Sequence, residues 1–134
     1  MKELLKLIKK ARFVFICGNG GSASTAEHLT NDLFSNDIKA ICLSSNASIM
    51  TMIANDFDYQ FVYSNQLAVY ATKDDLLITI SCSGTSPNIV NAEITAGLRG
   101  MEVYRFETFK KGDKDYGKLE DKHLQLVHKI KKAL

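Results

Sequence analysis

Two short loops carry much of the chemistry open to this sequence. Gly18-Asn19-Gly20-Gly21-Ser22 follows the apolar run Phe13–Cys17 and leads into a helical pattern through Ala26, Leu29 and Leu33. Ser81-Cys82-Ser83-Gly84-Thr85-Ser86 follows the apolar run Leu76–Ile80, and Pro87 suits the first position of a helix. A helix start offers unpaired N–H groups and positive potential, which favours an anion. Hydroxyls at Ser81, Ser83, Thr85 and Ser86 add neutral donors, and Gly84 lets the backbone come close to a ligand. Such a loop can hold phosphate without a lysine. No GxxxxGK-S/T stretch occurs, which argues against a nucleoside-triphosphate loop. GNGGSA lacks GxGxxG spacing and an acidic ribose partner, so no nucleotide cofactor is expected. The plain alternative is that both loops are ordinary helix caps.

Histidine and carboxylate form a second group. His28 and Asp32 are spaced i, i+4 and share a helix face. Glu120 and His128 lie eight residues apart, two turns along a final helix, and also share a face. His123 sits about 140° around the helical wheel from His128 and points elsewhere. Two faces with one histidine and one carboxylate each could meet as a four-ligand metal site or as an acid/base pair. A histidine beside an acid on a solvated helix is the bland reading.

The surrounding elements must position these groups. Short helices are expected over Lys2–Ala11 and from about Ser24, a helical turn over Ala47–Ala54, and helices over Asp58–Ala71, from Pro87 to Gly97 and over Leu119–Leu134. Strands are expected at Phe13–Cys17, Lys39–Leu43, Leu76–Ile80 and Met101–Phe106. Lys110–Gly117 reads as a charged connection. Strands alternating with helices predict an α/β sandwich with a parallel sheet. The two loops would then line one sheet edge, where such folds bind ligands.

Composition agrees. The 134 residues are 46% hydrophobic and 24% charged, with one proline and no tryptophan, as in one folded domain over residues 1–134. The net charge of +2 announces no nucleic acid. Residues 110–134 hold eight lysines against four acids, so the basic excess lies in the tail. Lys129, Lys131 and Lys132 would be the only support for a nucleic-acid adaptor. Cys17, Cys42 and Cys82 are odd in number and lack CxxC spacing, which predicts reduced thiols and a cytoplasmic setting. No apolar run has the length of a membrane span, and the apolar stretch at Phe13–Cys17 is too short for a signal peptide.

CGNGGSASTAEHLTNDL and LLITISCSGTSPNIVNA resemble the two signatures of the sugar isomerase (SIS) domain family, and among its branches the phosphoheptose isomerases. IANDFDYQFVYSNQL resembles that branch's Asn-Asp-aromatic segment, and LEDKHLQLVHKIKKAL its closing histidine-bearing helix. The resemblance runs from about Phe13 to Phe106 and resumes at about Leu119. It implies a flavodoxin-like, three-layer α/β sandwich, shortened at the N-terminus and before the last helix. It implies a homo-oligomer, a tetramer or dimer, with sites between subunits.

The same resemblance implies aldose–ketose isomerisation of sedoheptulose 7-phosphate to glycero-manno-heptose 7-phosphate, through an enediol, for surface polysaccharide. Ser81, Cys82, Ser83 and Ser86 would form the phosphate loop. Asn19, Gly20 and Ser22 would lie near the sugar, with Asn55, Asp56 and Glu120 also at the site. Zinc would be held by His28, Asp32, Glu120 and His128, and Asp32 and His128 would move the proton. Three positions depart from the family pattern. Asp32 stands where the branch has Glu, drawing the carboxylate back by roughly 1.5 Å, and misplacement of about 1 Å can lower a rate about 10²-fold. Glu120 stands where Gln is usual. Cys82 replaces a hydroxyl residue, as a small filler or as a thiol acidified at a helix start. The alternative function is a non-catalytic SIS module that binds a sugar phosphate or a protein partner.

Overall fold

The computed structural model describes all 134 residues. The two continuous apolar runs become the central strands β1 (Val14–Gly18) and β3 (Leu76–Ile80), and every residue in both is buried. Shorter strands β2 (Ala40–Cys42) and β4 (Glu102–Arg105) form the edges. The sheet is wholly parallel, in the order β2-β1-β3-β4. Val14 pairs with Leu76 and Gly18 with Ile80, so β1 and β3 end side by side.

Six helices cover the two faces: α1 (Lys2–Lys10), α2 (Gly21–Phe34), α3 (Ala47–Asp56), α4 (Ser64–Tyr70), α5 (Pro87–Leu98) and α6 (Tyr116–Ala133). Strand alternation divides the core in two. Val14, Ile16, Leu76, Ile78 and Ile80 pack with Leu4 and Ile8 of α1, Leu29 and Leu33 of α2, and Val127 and Ile130 of α6. Phe15, Cys17 and Leu77 pack with Ile53 of α3, Leu67 of α4, and Ile89, Ala92 and Ala96 of α5. The α/β sandwich expected from the sequence is therefore the one found.

One element differs. The segment Asp58–Ala71 is not a single helix but a 3-10 turn at Tyr59–Phe61 followed by α4. The Asp58 side chain accepts from the backbone N–H of Gln60 and caps the short turn. The chain then drops Val62 and Tyr63 into the core, and Gln66 Nε2 donates to the carbonyls of Leu43 and Val62. Burial of Tyr63 thus overrides the helical periodicity. Elsewhere α2 begins earlier than expected, at Gly21, and α3 runs on to Asp56. The segment just after β4 is tied to α6 by His123, whose Nε2 lies 2.7 Å from the carbonyl oxygen of Glu107.

Candidate functional site

The loop after β1 is set by close packing. A side chain at Gly18 would place its Cβ 2.6 Å from the backbone oxygen of Ser22 and 2.9 Å from that of Ile80. Glycine is thus required where α2 turns back against β3. Gly20 has φ +56° and Gly84 +67°, the left-handed region that favours glycine. Asn19 and Asn88 then join the loops. Asn19 Nδ2 donates to Asn88 Oδ1, and Asn88 Nδ2 donates to Asn19 Oδ1, both at 2.9 Å. The Tyr63 hydroxyl donates to the Gly18 carbonyl. Burial, with the Cys17 thiol nearby, pushes that hydroxyl well above the ordinary tyrosine value, so it stays a donor.

The two loops enclose a cavity of about 270 Å³, close to the lower end of the roughly 300–1,000 Å³ range of small-molecule sites. Asn19, Gly20, Gly21 and Ser22 line one side, and Ser81, Cys82, Ser83 and Ser86 the other; Tyr116 and Glu120 of α6 complete the wall. The helices α2 and α5 both begin at this cavity. In the second loop, the Ser81 hydroxyl accepts from the N–H of Gly84 and the Ser83 hydroxyl from that of Thr85. Ser86 stands at the N-cap of α5, yet its side chain makes no capping bond, so its hydroxyl is free for a ligand. No lysine, arginine or histidine borders the cavity. An anion bound here would meet hydroxyls and two positive helix ends rather than a cation.

Cys82 is buried, and its thiol is pushed up by burial and by the charge of Glu120, against a lowering hydrogen bond from Ser22. This direction runs against a thiol acidified at the helix start. All three cysteines are free and buried.

The histidine–carboxylate set divides. Asp32 is fully buried; its Oδ1 accepts from Lys131 Nζ at 2.6 Å, and its Oδ2 lies 3.4 Å from His28 Nε2 without a hydrogen bond. The rings of His28 and His128 approach to 5.1 Å between centroids. Glu120 stands apart, in the cavity, its Oε1 2.6 Å from the place a Cβ would take at Gly21. No three or more histidine, cysteine or acidic side chains form a metal-holding group. The four residues expected to share zinc do not fit one ion as the chain folds, since the Lys131 ammonium already neutralises Asp32. Neither Asp32 nor His128 borders the cavity. Asn55 and Asp56 also lie outside it; both are exposed at the end of α3, where Asn55 Nδ2 donates to Asp56 Oδ1 at 3.0 Å. The largest cavity, about 870 Å³, lies between α2, β2 and α3 and contains none of the expected site residues.

Sequence reasoning missed Lys131, Asn88 and Tyr63. Lys131 follows His128 by one helical turn, a spacing that could have placed it on the face turned to Asp32. It appeared only as part of a basic tail.

The strand order and the two loops opening helices at adjacent strand ends define the class. Residues 2–106 match the SIS domain family, and the chain belongs to it. A phosphoheptose isomerase of Campylobacter concisus is 30% identical over 146 residues, covering 95% of this chain and 77% of its own length. One from Coxiella burnetii is 40% identical over 96 residues, or 67% of this chain and 48% of its own. The chain spans about half the length of several curated relatives it matches. The structure of phosphoheptose isomerase from Neisseria gonorrhoeae superposes with a TM-score of 0.90 at 26% identity, covering 98% of this chain and 80% of that one. A phosphoheptose isomerase from Francisella tularensis, 23% identical with a TM-score of 0.88, shares the fold.

Proposed function

We propose that this chain is a phosphosugar isomerase subunit that interconverts sedoheptulose 7-phosphate and the corresponding aldoheptose 7-phosphate. The observation that carries this reading is the convergence of two helix starts and the uncommitted Ser86 hydroxyl on one cavity of an SIS fold. The phosphate would sit at the start of α5, against Ser81, Ser83 and Ser86. The sugar would extend toward Asn19, Gly20 and Ser22. Asp32, paired with Lys131, and His128, to which the family resemblance gives proton transfer, lie outside this cavity in the single chain.

The subunit would work as a homo-oligomer. Phe57 just after α3, Val69, Ile94 and Leu98 are exposed apolar side chains on the α3–α5 side of the sheet, at 66%, 79%, 55% and 85%. Apolar surface concentrated on one layer marks an interaction face.

The test is incubation of the purified protein with sedoheptulose 7-phosphate, followed by NMR for the aldose. Appearance of the aldose supports the isomerase. Binding without turnover favours the non-catalytic module, a reading to which the Asp32–Lys131 pair already lends weight.

A further inference from the structure

We propose that Glu120 is the general base of this cleft. The inference rests on the isomerase reading and deepens it. Three observations lead to it. Glu120 is the one carboxylate among the residues bordering the cavity, where its charge acts on Cys82 of the serine loop. It takes part in none of the chain's ion pairs. Its carboxylate stands over Gly21, at the start of α2, with Oε1 2.6 Å from the place a Cβ would take there.

The other candidates are placed elsewhere. Asp32 is buried and held by Lys131. His128 lies eight residues beyond Glu120 on α6, about 12 Å along the helix axis. A sugar whose phosphate occupies the serine loop therefore lies beside Glu120, while neither Asp32 nor His128 of the same chain borders that cavity.

The step balances without an added oxidant or reductant. The Glu120 carboxylate takes the proton from the carbon next to the carbonyl. The C–H electron pair forms the C=C bond of the enediol, and the carbonyl π pair moves to oxygen, which takes a proton from water. Glu120 then returns its proton to the former carbonyl carbon. The neighbouring hydroxyl loses its proton to water as the new carbonyl forms, and the carboxylate is regenerated. Glutamate at this position supplies a proton acceptor that an amide cannot.

The experiment follows solvent-deuterium incorporation next to the carbonyl of sedoheptulose 7-phosphate by NMR, with binding of the same compound measured by calorimetry. The parent protein exchanges. Glu120→Gln keeps the shape, retains binding and loses exchange by about 10²- to 10⁴-fold. Glu120→Ala recovers part of the exchange when formate is added. Exchange by Glu120→Gln at the parent's rate overturns the proposal. Loss of binding together with exchange overturns it too, since Glu120 would then be a binding group. A parent protein that binds the sugar phosphate without exchanging it removes the isomerase reading itself, and the base with it.

Discussion

Asp75 illustrates what a buried carboxylate needs in this chain. Its Oδ2 accepts from Arg12 Nη2 at 2.8 Å and from the N–H of Thr72 at 2.7 Å, and its Oδ1 from the N–H of Phe13 at 3.0 Å. Burial works to raise its pKa, but the Arg12 guanidinium and the Thr72 bonds outweigh it and hold it below the usual carboxylate value. A lowered folded pKa means the group contributes its full stability above the ordinary carboxylate range. That contribution is lost as pH falls from there through the folded value. Asp75→Asn should lower stability by about 1–3 kcal/mol at neutral pH. It should also flatten the acid limb of a urea-denaturation series, and an unchanged acid limb would show that Asp75 does not drive it. Cys82 follows the opposite logic: with no cation near and Glu120 beside it, its thiol stays protonated.

At the scale of elements, the pairing of α2 with α6 matters most. Lys131 reaches from α6 to Asp32 of α2, and Val127 and Ile130 pack into the same core as Leu29 and Leu33. Residue 123 lies on another side of α6, buried, with its ring edge-on to Phe106 at 5.5 Å. The helix thus uses one face to anchor to α2 and another to hold the preceding connection. A double-mutant cycle of Asp32→Asn and Lys131→Met should give a coupling of about 1–2 kcal/mol in chemical denaturation. This is below the range for fully buried pairs, because the Lys131 side chain is half exposed. Coupling near zero would mean that packing alone docks α6. Because Lys131 serves as the cation for Asp32, dialysis against a chelator should leave the melting temperature unchanged. A drop on chelation would point to a metal that the four separated side chains do not explain.

At the scale of the molecule, exposed apolar side chains on the α3–α5 layer predict association. Light scattering after gel filtration should give a mass above that of one 14.9 kDa chain. Val69→Lys with Leu98→Lys should reduce it toward that of the single chain, and a monomeric parent would remove the interface. No helix is long and apolar enough to cross a membrane. The layered α/β plan and the two small-residue loops at adjacent strand ends are legible in the residues alone. Five-residue apolar runs rich in Val, Ile and Phe and closed by glycine–serine turns suit strands covered on both sides, and those turns are local features. Tertiary structure decided which polar residues meet. The burial of Tyr63 split the helix expected over 58–71. The docking of α6 on α2 gave Asp32 to Lys131 and left Glu120 alone in the cavity. Such pairings join residues 99 positions apart, as in Asp32 and Lys131. Helical spacing fixes the face a side chain shares, but only packing fixes which face it meets.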